Sequence, residues 1–466
     1  MSADLHWLSV ADSARLIAAR ELSPVELTES LLRRIEALEG RVNAFITVDA
    51  DAAMSAARMA ADEIANSGNS GANRPLHGVP IALKDLFGVG GVRMTAGSKI
   101  LTENIASEDA EATLRLKAAG VVIPGKVNMH EFAYGATGVN PHYGPARNPW
   151  DLGRITGGSS SGSGASVASG ECAAALGTDT GGSIRIPASL CGIVGLKPTY
   201  GRVSRRGVLP LSWSLDHVGP MTRTVADAAL ILQAIAGHDP KDASTSEEPV
   251  PDYTQALRGG VHGLRIGVPK QFFFENVDSE VERAVRSAIR LLEEMGAVAT
   301  EVDAPLISEI PGGVTAIMLP EALAYHQKWM SERPEDYGDD VRYRLELGAT
   351  FLAVHYVQAQ RLREMAVAAW RAEVFSKVDL IAMPTTPITA HPIEEGDLQV
   401  TFNLIRFTNP INFLGVPAIS VPCGFTGEGL PVGLQLVGRW WDDATILRAA
   451  QTYEQATDWH QRRPPL

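Results

Sequence analysis

Between His77 and Pro220 the chain alternates short apolar runs with turns rich in glycine, serine, proline and threonine. The runs at residues 79–83, 121–123, 173–176 and 192–196 lack the polar alternation of a half-exposed strand. Short apolar runs bounded by turn residues suit strands buried on both faces, and such strands belong to sheets covered by helices. Helix-like stretches lie between them, for example residues 110–119 closed by Gly120. This pattern commits the region to an α/β fold.

The flanks carry their own punctuation. Ser23-Pro24 reads as an N-cap with proline at the first helical position, and Leu27, Leu31, Ile35 and Leu38 follow as one apolar stripe. An alanine-rich second helix is expected over residues 50–64. The polar segment 238–251 reads as an exposed, mobile connection. After it, a strand at 264–269, a helix over 278–295 and a strand at 298–302 predict a parallel pair with a crossover helix. A long helical stretch over 341–377, a strand at 380–383 and a last helix over 443–457 complete the reading.

Composition narrows the function. The chain has 466 residues, 41 basic against 54 acidic, for a formal charge of −13. No basic excess is available to neutralise phosphates, so nucleic acid and anionic membranes are not expected as partners. Three cysteines without a Cys-x-x-Cys pair, and scattered histidines, predict neither a disulfide framework nor a metal. The first residues, Met1-Ser-Ala-Asp-Leu-His, have no basic and apolar regions of a secretory signal. The uncharged stretch 407–427 is interrupted by Pro410, Pro417 and Pro422, which suits buried core better than a membrane span. A cytoplasmic location is expected.

Three places carry candidate chemistry. Gly157-Gly-Ser-Ser-Ser-Gly-Ser-Gly164 leads into a run of small residues, a glycine-rich turn that opens a helix. Ser163 stands where a phosphate loop needs lysine, so that reading fails, while Gly158-Ser-Ser160-Ser-Gly162 formally matches a nucleophile elbow. Gly177-Thr-Asp-Thr-Gly-Gly-Ser183 follows an apolar run, at the strand end where α/β sites form. Successive N–H groups of Thr180, Gly181, Gly182 and Ser183 are candidates for an oxyanion hole. Lys84 ends the run Val79-Pro-Ile-Ala-Leu and is expected to be buried, which lowers a lysine pKa and frees the amine to act as a base. Asp85 could instead pair with it and keep it charged. Asp179 and Arg185 are read as a loop brace.

At these sites the residues resemble the amidase signature family of serine hydrolases. The resemblance runs over nearly the whole chain and includes Leu76-His-Gly-Val-Pro-Ile, Asn128-Met-His-Glu-Phe, Arg147-Asn-Pro, Cys191-Gly-Ile-Val-Gly-Leu-Lys-Pro-Thr199 and Gly433-Leu-Gln-Leu-Val-Gly438. Ser161 departs from it, since the family usually has glycine there. The resemblance implies a large mixed, twisted sheet covered on both faces by helices, as one domain over residues 1–466. Within it would lie a helical segment of about 1–70, a signature core of about 76–220 and a C-terminal α/β part of about 260–466. It also implies a Ser–cis-Ser–Lys triad of Ser183 as nucleophile, Ser159 as relay and Lys84 as base, with no cofactor.

The expected activity is hydrolysis of C–N bonds in small linear amides, through an acyl-enzyme on Ser183. Aryl amides, carbamates (urethanes) and esters are the further substrate classes. Met129, Tyr134, Ile317, Met318 and Phe407 are candidates for the pocket wall, each equally readable as core. One alternative is the glutaminase component of a tRNA-dependent amidotransferase, with which Glu321, Arg344 and Asn412 align. The aspartate with which that component reads the glutamine ammonium falls at Ile405, which cannot pair with a cation. The other is a Ser-His-Asp hydrolase using Ser160, with His217, His326 or His391 as partner. Trp440-Trp441 reads as either a core edge or an oligomer surface, the latter compatible with a homodimer.

Overall fold

The computed structural model of the protein describes residues 5–66, 74–395 and 398–466. The outer ends of the expected N-terminal segment, residues 1–4 and 67–70, lie outside the described residues, as does most of the start read for a secretory signal. The first strands are β1 (Phe45–Val48), β2 (Ile81–Lys84), β3 (Gly125–Val127), β4 (Arg147–Asn148), β5 (Asp151–Ile155), β6 (Ala174–Asp179) and β7 (Val194–Lys197). They continue as β8 (His217–Thr222), β9 (Arg265–Pro269), β10 (Val298–Val302), β11 (Leu380–Pro384), β12 (Ala418–Phe425) and β13 (Pro431–Gly438). Eleven of them make one mixed sheet in the order β1-β3-β2-β6-β8-β7-β12-β13-β11-β9-β10, and β4 and β5 form a separate ribbon.

Side-chain alternation shows why these runs read as continuous apolar stretches. Along β2, Ile81 and Leu83 enter one core cluster while Ala82 enters another. In β11, Leu380 and Ala382 go one way and Ile381 and Met383 the other. A strand points successive side chains to opposite faces, so a sheet covered by helices on both sides needs apolar residues at every position. The unit β9–helix Ser279–Glu294–β10 is parallel, as its spacing predicts, with Asp278 as N-cap.

Three expectations change, and one helix is additional. The strand predicted at 121–123 forms only one isolated bridge, Val122 to Pro80, and regular pairing starts at Gly125. Pro124 lacks an N–H for the ladder, which delays the strand. The stretch 341–377 breaks into Asp339–Gly348, Ala353–Ala369 and a π turn at Trp370–Val374. The helix Ile310–Glu332 went unread, because Gly312-Gly313 and an internal Pro320 mask it and its packing against several helices removes the one-sided stripe. The segment 238–251 has no regular structure, yet it is pinned. Asp239 and Thr245 are buried in it, and Arg202 Nη1 donates to Glu248 O at 3.0 Å and Pro249 O at 2.9 Å.

Among the described residues no helix is long and apolar enough to cross a membrane. Residues 407–427 instead supply the short helix Asn409–Leu414 and the whole of β12. Trp440 and Trp441 turn inward: the Trp440 indole N–H donates to Leu414 O at 2.8 Å, and Trp441 stacks on Arg202.

Gly219 in the central strand β8 abuts the Leu196 carbonyl oxygen so closely that a methyl group has no room, and Ile184 Cδ1 and Pro198 Cδ close the remaining space. Gly219→Ala is therefore expected to destabilise the protein by about 2 kcal/mol, read as an earlier urea midpoint at unchanged slope.

Candidate active site

Strands β2 and β6 run parallel as neighbours, so their C-terminal ends open on one edge of the sheet, where α/β folds build sites. Lys84 ends β2, and Thr178 and Asp179 end β6. Lys84 is 0% exposed, with Nζ 2.7 Å from Ser159 Oγ and 2.9 Å from Thr178 Oγ1. Asp85 turns elsewhere: it pairs with Lys126 Nζ at 3.1 Å and accepts the Thr95 N–H at 2.9 Å. Both groups in contact with the Lys84 amine are neutral hydroxyls. Burial therefore dominates and pushes the amine down to about 7, against the opposing pull of Asp216 and Asp179.

The three consecutive serines have three fates. The Gly158–Ser159 peptide bond is cis, as the resemblance implies. On either side of it, the Gly158 N–H donates to Ala136 O at 2.7 Å and Ser159 O accepts from the His130 N–H at 3.0 Å. Ser160 Oγ donates to Thr178 O at 3.2 Å and meets no histidine. His217 Nδ1–H is committed to Leu215 O at 2.7 Å, and His326 faces Tyr337. Among the described residues no Ser-His-Asp arrangement exists at Ser160, which removes that alternative. Ser161 fits where the family has glycine because it packs onto Gly138, at which any side chain would strike its Cβ.

The second loop is organised by one carboxylate. Asp179 accepts from the Gly182 N–H at 2.8 Å, the Ile184 N–H at 3.1 Å, and Arg185 Nη2 and Nε at 2.9 and 3.0 Å. Asn412 Nδ2 adds a further bond at 2.9 Å, and Arg185 continues to Gln435 and Thr408. Burial alone would raise the Asp179 carboxyl, but the Arg185 guanidinium, then Lys197 and His217, hold it below the usual carboxylate range. Because the Gly182 N–H is committed to Asp179, the expected set of four oxyanion donors loses one member. The N–H groups of Thr180, Gly181 and Ser183 have no acceptor among the described residues.

Ser183, Gly181 and Thr180 form one wall of a cavity of about 220 Å³. Tyr134, Met318, Leu319, Leu347, Phe402 and Ile405 are among the side chains that line the rest. Of the five residues expected there, Tyr134 and Met318 line it, while Met129, Ile317 and Phe407 are fully buried in the cores behind. Of the three residues shared with the amidotransferase glutaminase, Arg344 lines the cavity and is paired with Asp340 at 2.8 Å. Glu321 instead binds Ser212 and Ser214, and Asn412 braces Asp179.

Several contributors escaped the sequence reading. Thr178 was visible as a polar residue closing an apolar strand. Asp216, which accepts from Thr180 Oγ1 at 2.5 Å, and Asn409, which lines the cavity, carry no local signal because they reach the site from distant segments. Among the described residues no group of three or more His, Cys, Asp or Glu is placed to hold a metal ion.

Comparison with known proteins bears on the whole chain. A family model described as Amidase matches residues 26–447. The A chain of the glutamyl-tRNA(Gln) amidotransferase of Chloroflexus aggregans is 45% identical, over 99% of each sequence. A solved bacterial aryl acylamidase of the amidase signature enzymes superposes with a TM-score of 0.90 at 28% identity, covering 98% of each chain. A chain from a vestigial complex bearing on the origins of an s-triazine catabolic enzyme gives a TM-score of 0.91 at 36% identity, covering 96% of this chain and 98% of its own.

The depressed Lys84 pKa has a signed consequence for stability. Between pH 7 and 10.5 the unfolded chain binds the proton that the folded chain has released, so folding is favoured increasingly as pH rises through that window. Lys84→Met removes the titration. Its stability advantage over the wild type should be largest below pH 7 and shrink by on the order of 4 kcal/mol towards pH 10.5, measured by urea unfolding at each pH. A difference independent of pH would mean that the amine titrates normally.

Proposed function

The chain belongs to the amidase family, and from that premise we propose that it hydrolyses the C–N bond of small neutral amides bearing an aryl or short alkyl acyl group. Carbamates and esters of the same shape are further substrates. The observation that carries the reading is the buried contact of Lys84 Nζ with Ser159 Oγ at 2.7 Å, in a site where burial pushes the lysine down to about 7.

In this mechanism Ser183 attacks the carbonyl. Ser159 takes its proton and passes one to the neutral Lys84 amine. The N–H groups of Thr180, Gly181 and Ser183 receive the developing oxyanion, where fixed dipoles act without reorganisation. Lys84 then returns a proton through Ser159 to the leaving amine, and water repeats the sequence on the acyl-enzyme. Asp179 and Arg185 touch no reacting atom in this scheme and act by holding the loop.

The cavity supports a neutral acyl group. Among the described residues no carboxylate lines it, Ile405 occupies the wall that an ammonium would have to meet, and Arg344 is already paired. Burying a charged amino group there without a partner would cost several kcal/mol. A second reading, the glutaminase component of an amidotransferase, is favoured by the 45% identity to the Chloroflexus aggregans protein.

A small fluorophosphonate should label Ser183, as located by mass spectrometry, and labelling should vanish in Lys84→Ala while Ser160→Ala retains it. With chemistry rate-limiting, kcat/KM on a nitroanilide should rise with pH to a plateau, with a midpoint at about 7. An adduct on Ser160, or a profile flat from about pH 5 to 9, would contradict the mechanism. Glutamine hydrolysis exceeding that of every neutral amide would favour the amidotransferase reading instead.

A further inference from the structure

Strands β6 and β8 pair antiparallel, with Thr178 opposite Val218 and Asp179 opposite His217. Alternation puts Thr178 and Thr180 on one face of this pair and Asp179 on the other. Asp179 is committed there to Arg185. On the first face Thr178 Oγ1 lies 2.9 Å from Lys84 Nζ, and two residues on, Thr180 Oγ1 donates to Asp216 Oδ1 at 2.5 Å. Two residues along a strand span about 7 Å, which brings this carboxylate near the hydroxyl that holds the amine. Thr178, Thr180 and Asp216 also line one cavity of about 280 Å³. Asp216 is 7% exposed, and among the described residues every bond it accepts comes from a neutral group: Thr180 Oγ1, the Leu211 N–H at 2.9 Å and the Ser212 N–H at 3.1 Å. Burial pushes the carboxyl up, but backbone N–H groups on both oxygens favour its ionised form.

The other charged groups of that cavity leave Asp216 without a cation. Arg205 gives its guanidinium to Trp213 O and Tyr200 OH, and Arg206 is paired with Asp239 and Glu111. Lys241 is exposed, Asp242 accepts the Arg205 N–H at 2.7 Å, and burial keeps His217 neutral. Three carboxylates thus stand near Lys84, and two are taken: Asp85 by Lys126 and Asp179 by Arg185. Resting on the hydrolase mechanism above, we infer that Asp216 is a positioning residue of the proton relay, whose charge, paired with no cation, holds the proton that Lys84 receives. A nearby negative charge favours the ammonium over the amine, so Asp216 opposes the burial that drives Lys84 towards neutrality. Without it the amine would be a weaker base, slower to accept the Ser183 proton through Ser159. Asp216 touches no reacting atom and acts only through Lys84.

The rate at which a small fluorophosphonate labels Ser183 reads the relay without a choice of amide. In the wild type that rate should rise with pH to a plateau, with a midpoint at about 7. Asp216→Asn should move the midpoint down by about one pH unit, because the neutral amine then persists to lower pH. Asp216→Ser should do the same, and it serves if the asparagine variant, with its amide N–H groups against those of Leu211 and Ser212, fails to fold. Thr180→Val keeps the carboxylate and loses only the hydroxyl contact, so labelling should slow while the midpoint stays. A midpoint unmoved or raised in the Asp216 variants overturns the inference. So does an equal downward shift in Thr180→Val, which would assign the effect to displacement of the turn. Absence of any Ser183 adduct in the wild type overturns the hydrolase mechanism and this inference with it. Wild-type labelling with a midpoint that both Asp216 variants leave in place overturns this inference alone.

Discussion

The buried pair of Asp179 and Arg185 is the contact on which the other pieces depend. It joins the end of β6 to the helix Arg185–Cys191, and through Asn412 and Gln435 to the helix Asn409–Leu414 and to β13. A buried ion pair seldom adds net stability over a well-packed apolar substitute, because desolvation consumes most of the attraction. What it supplies here is direction. A carboxylate that accepts from two backbone N–H groups and a guanidinium at once can sit in one place only, and the glycine turn before Ser183 must close around it. Gly182 meets that demand at φ 134°, in a space where any side chain would strike Thr408.

That brace makes a second, opposite arrangement workable. Lys84 is as buried as Asp179, but it contacts only hydroxyls. One site therefore contains a carboxylate kept charged by a cation and an amine driven towards neutrality by the lack of an anion. Groups whose environments push their pKa values apart are a usual sign of divided roles. Asp85 is the residue that could erase the distinction, and Lys126 occupies it. The Lys126–Asp85 pair, one strand away on β3, thus protects the state of Lys84 without approaching the serines.

The sequence made legible whatever depends on local chemistry. Apolar runs ending in turn residues marked β2, β6 and β7, and the terminal lysine of one run and the glycines of two loops marked the candidate site. What stayed hidden depends on contact between distant segments. Gly182 looks like an oxyanion donor until Asp179, three residues earlier, is seen to take its N–H. Phe407 and Ile317 look as suitable for a pocket as Met318 does, since sequence cannot say which side of a buried segment meets a void and which meets packed side chains. The helix Ile310–Glu332 illustrates the same limit: packed against several helices, it shows exposed polar residues such as Gln327 and Lys328 only in its second half, and its glycines and proline resemble a loop. Ile405 is the converse case, legible as a departure before its place in the wall was known.

Ile405 and Asn409 lie four residues apart and line the same cavity, on the side away from the sheet-borne catalytic candidates. The catalytic apparatus is anchored on the sheet, at the ends of β2 and β6, and its charges are balanced internally by Asp179, Arg185, Lys126 and Asp85. None of these residues needs to change when the acyl group changes. The opposite wall comes from the segments around 318–347 and 398–409, which meet that network where Thr408 O accepts from Arg185 Nη2. An apolar residue at 405 offers no partner to a cation, and a carboxamide at 409 leaves a buried oxygen without a hydrogen-bond partner. Such a wall costs little stability: the sheet edge already holds the serines and the lysine in register, so one buried polar group left without a partner is a small loss beside the core that surrounds it.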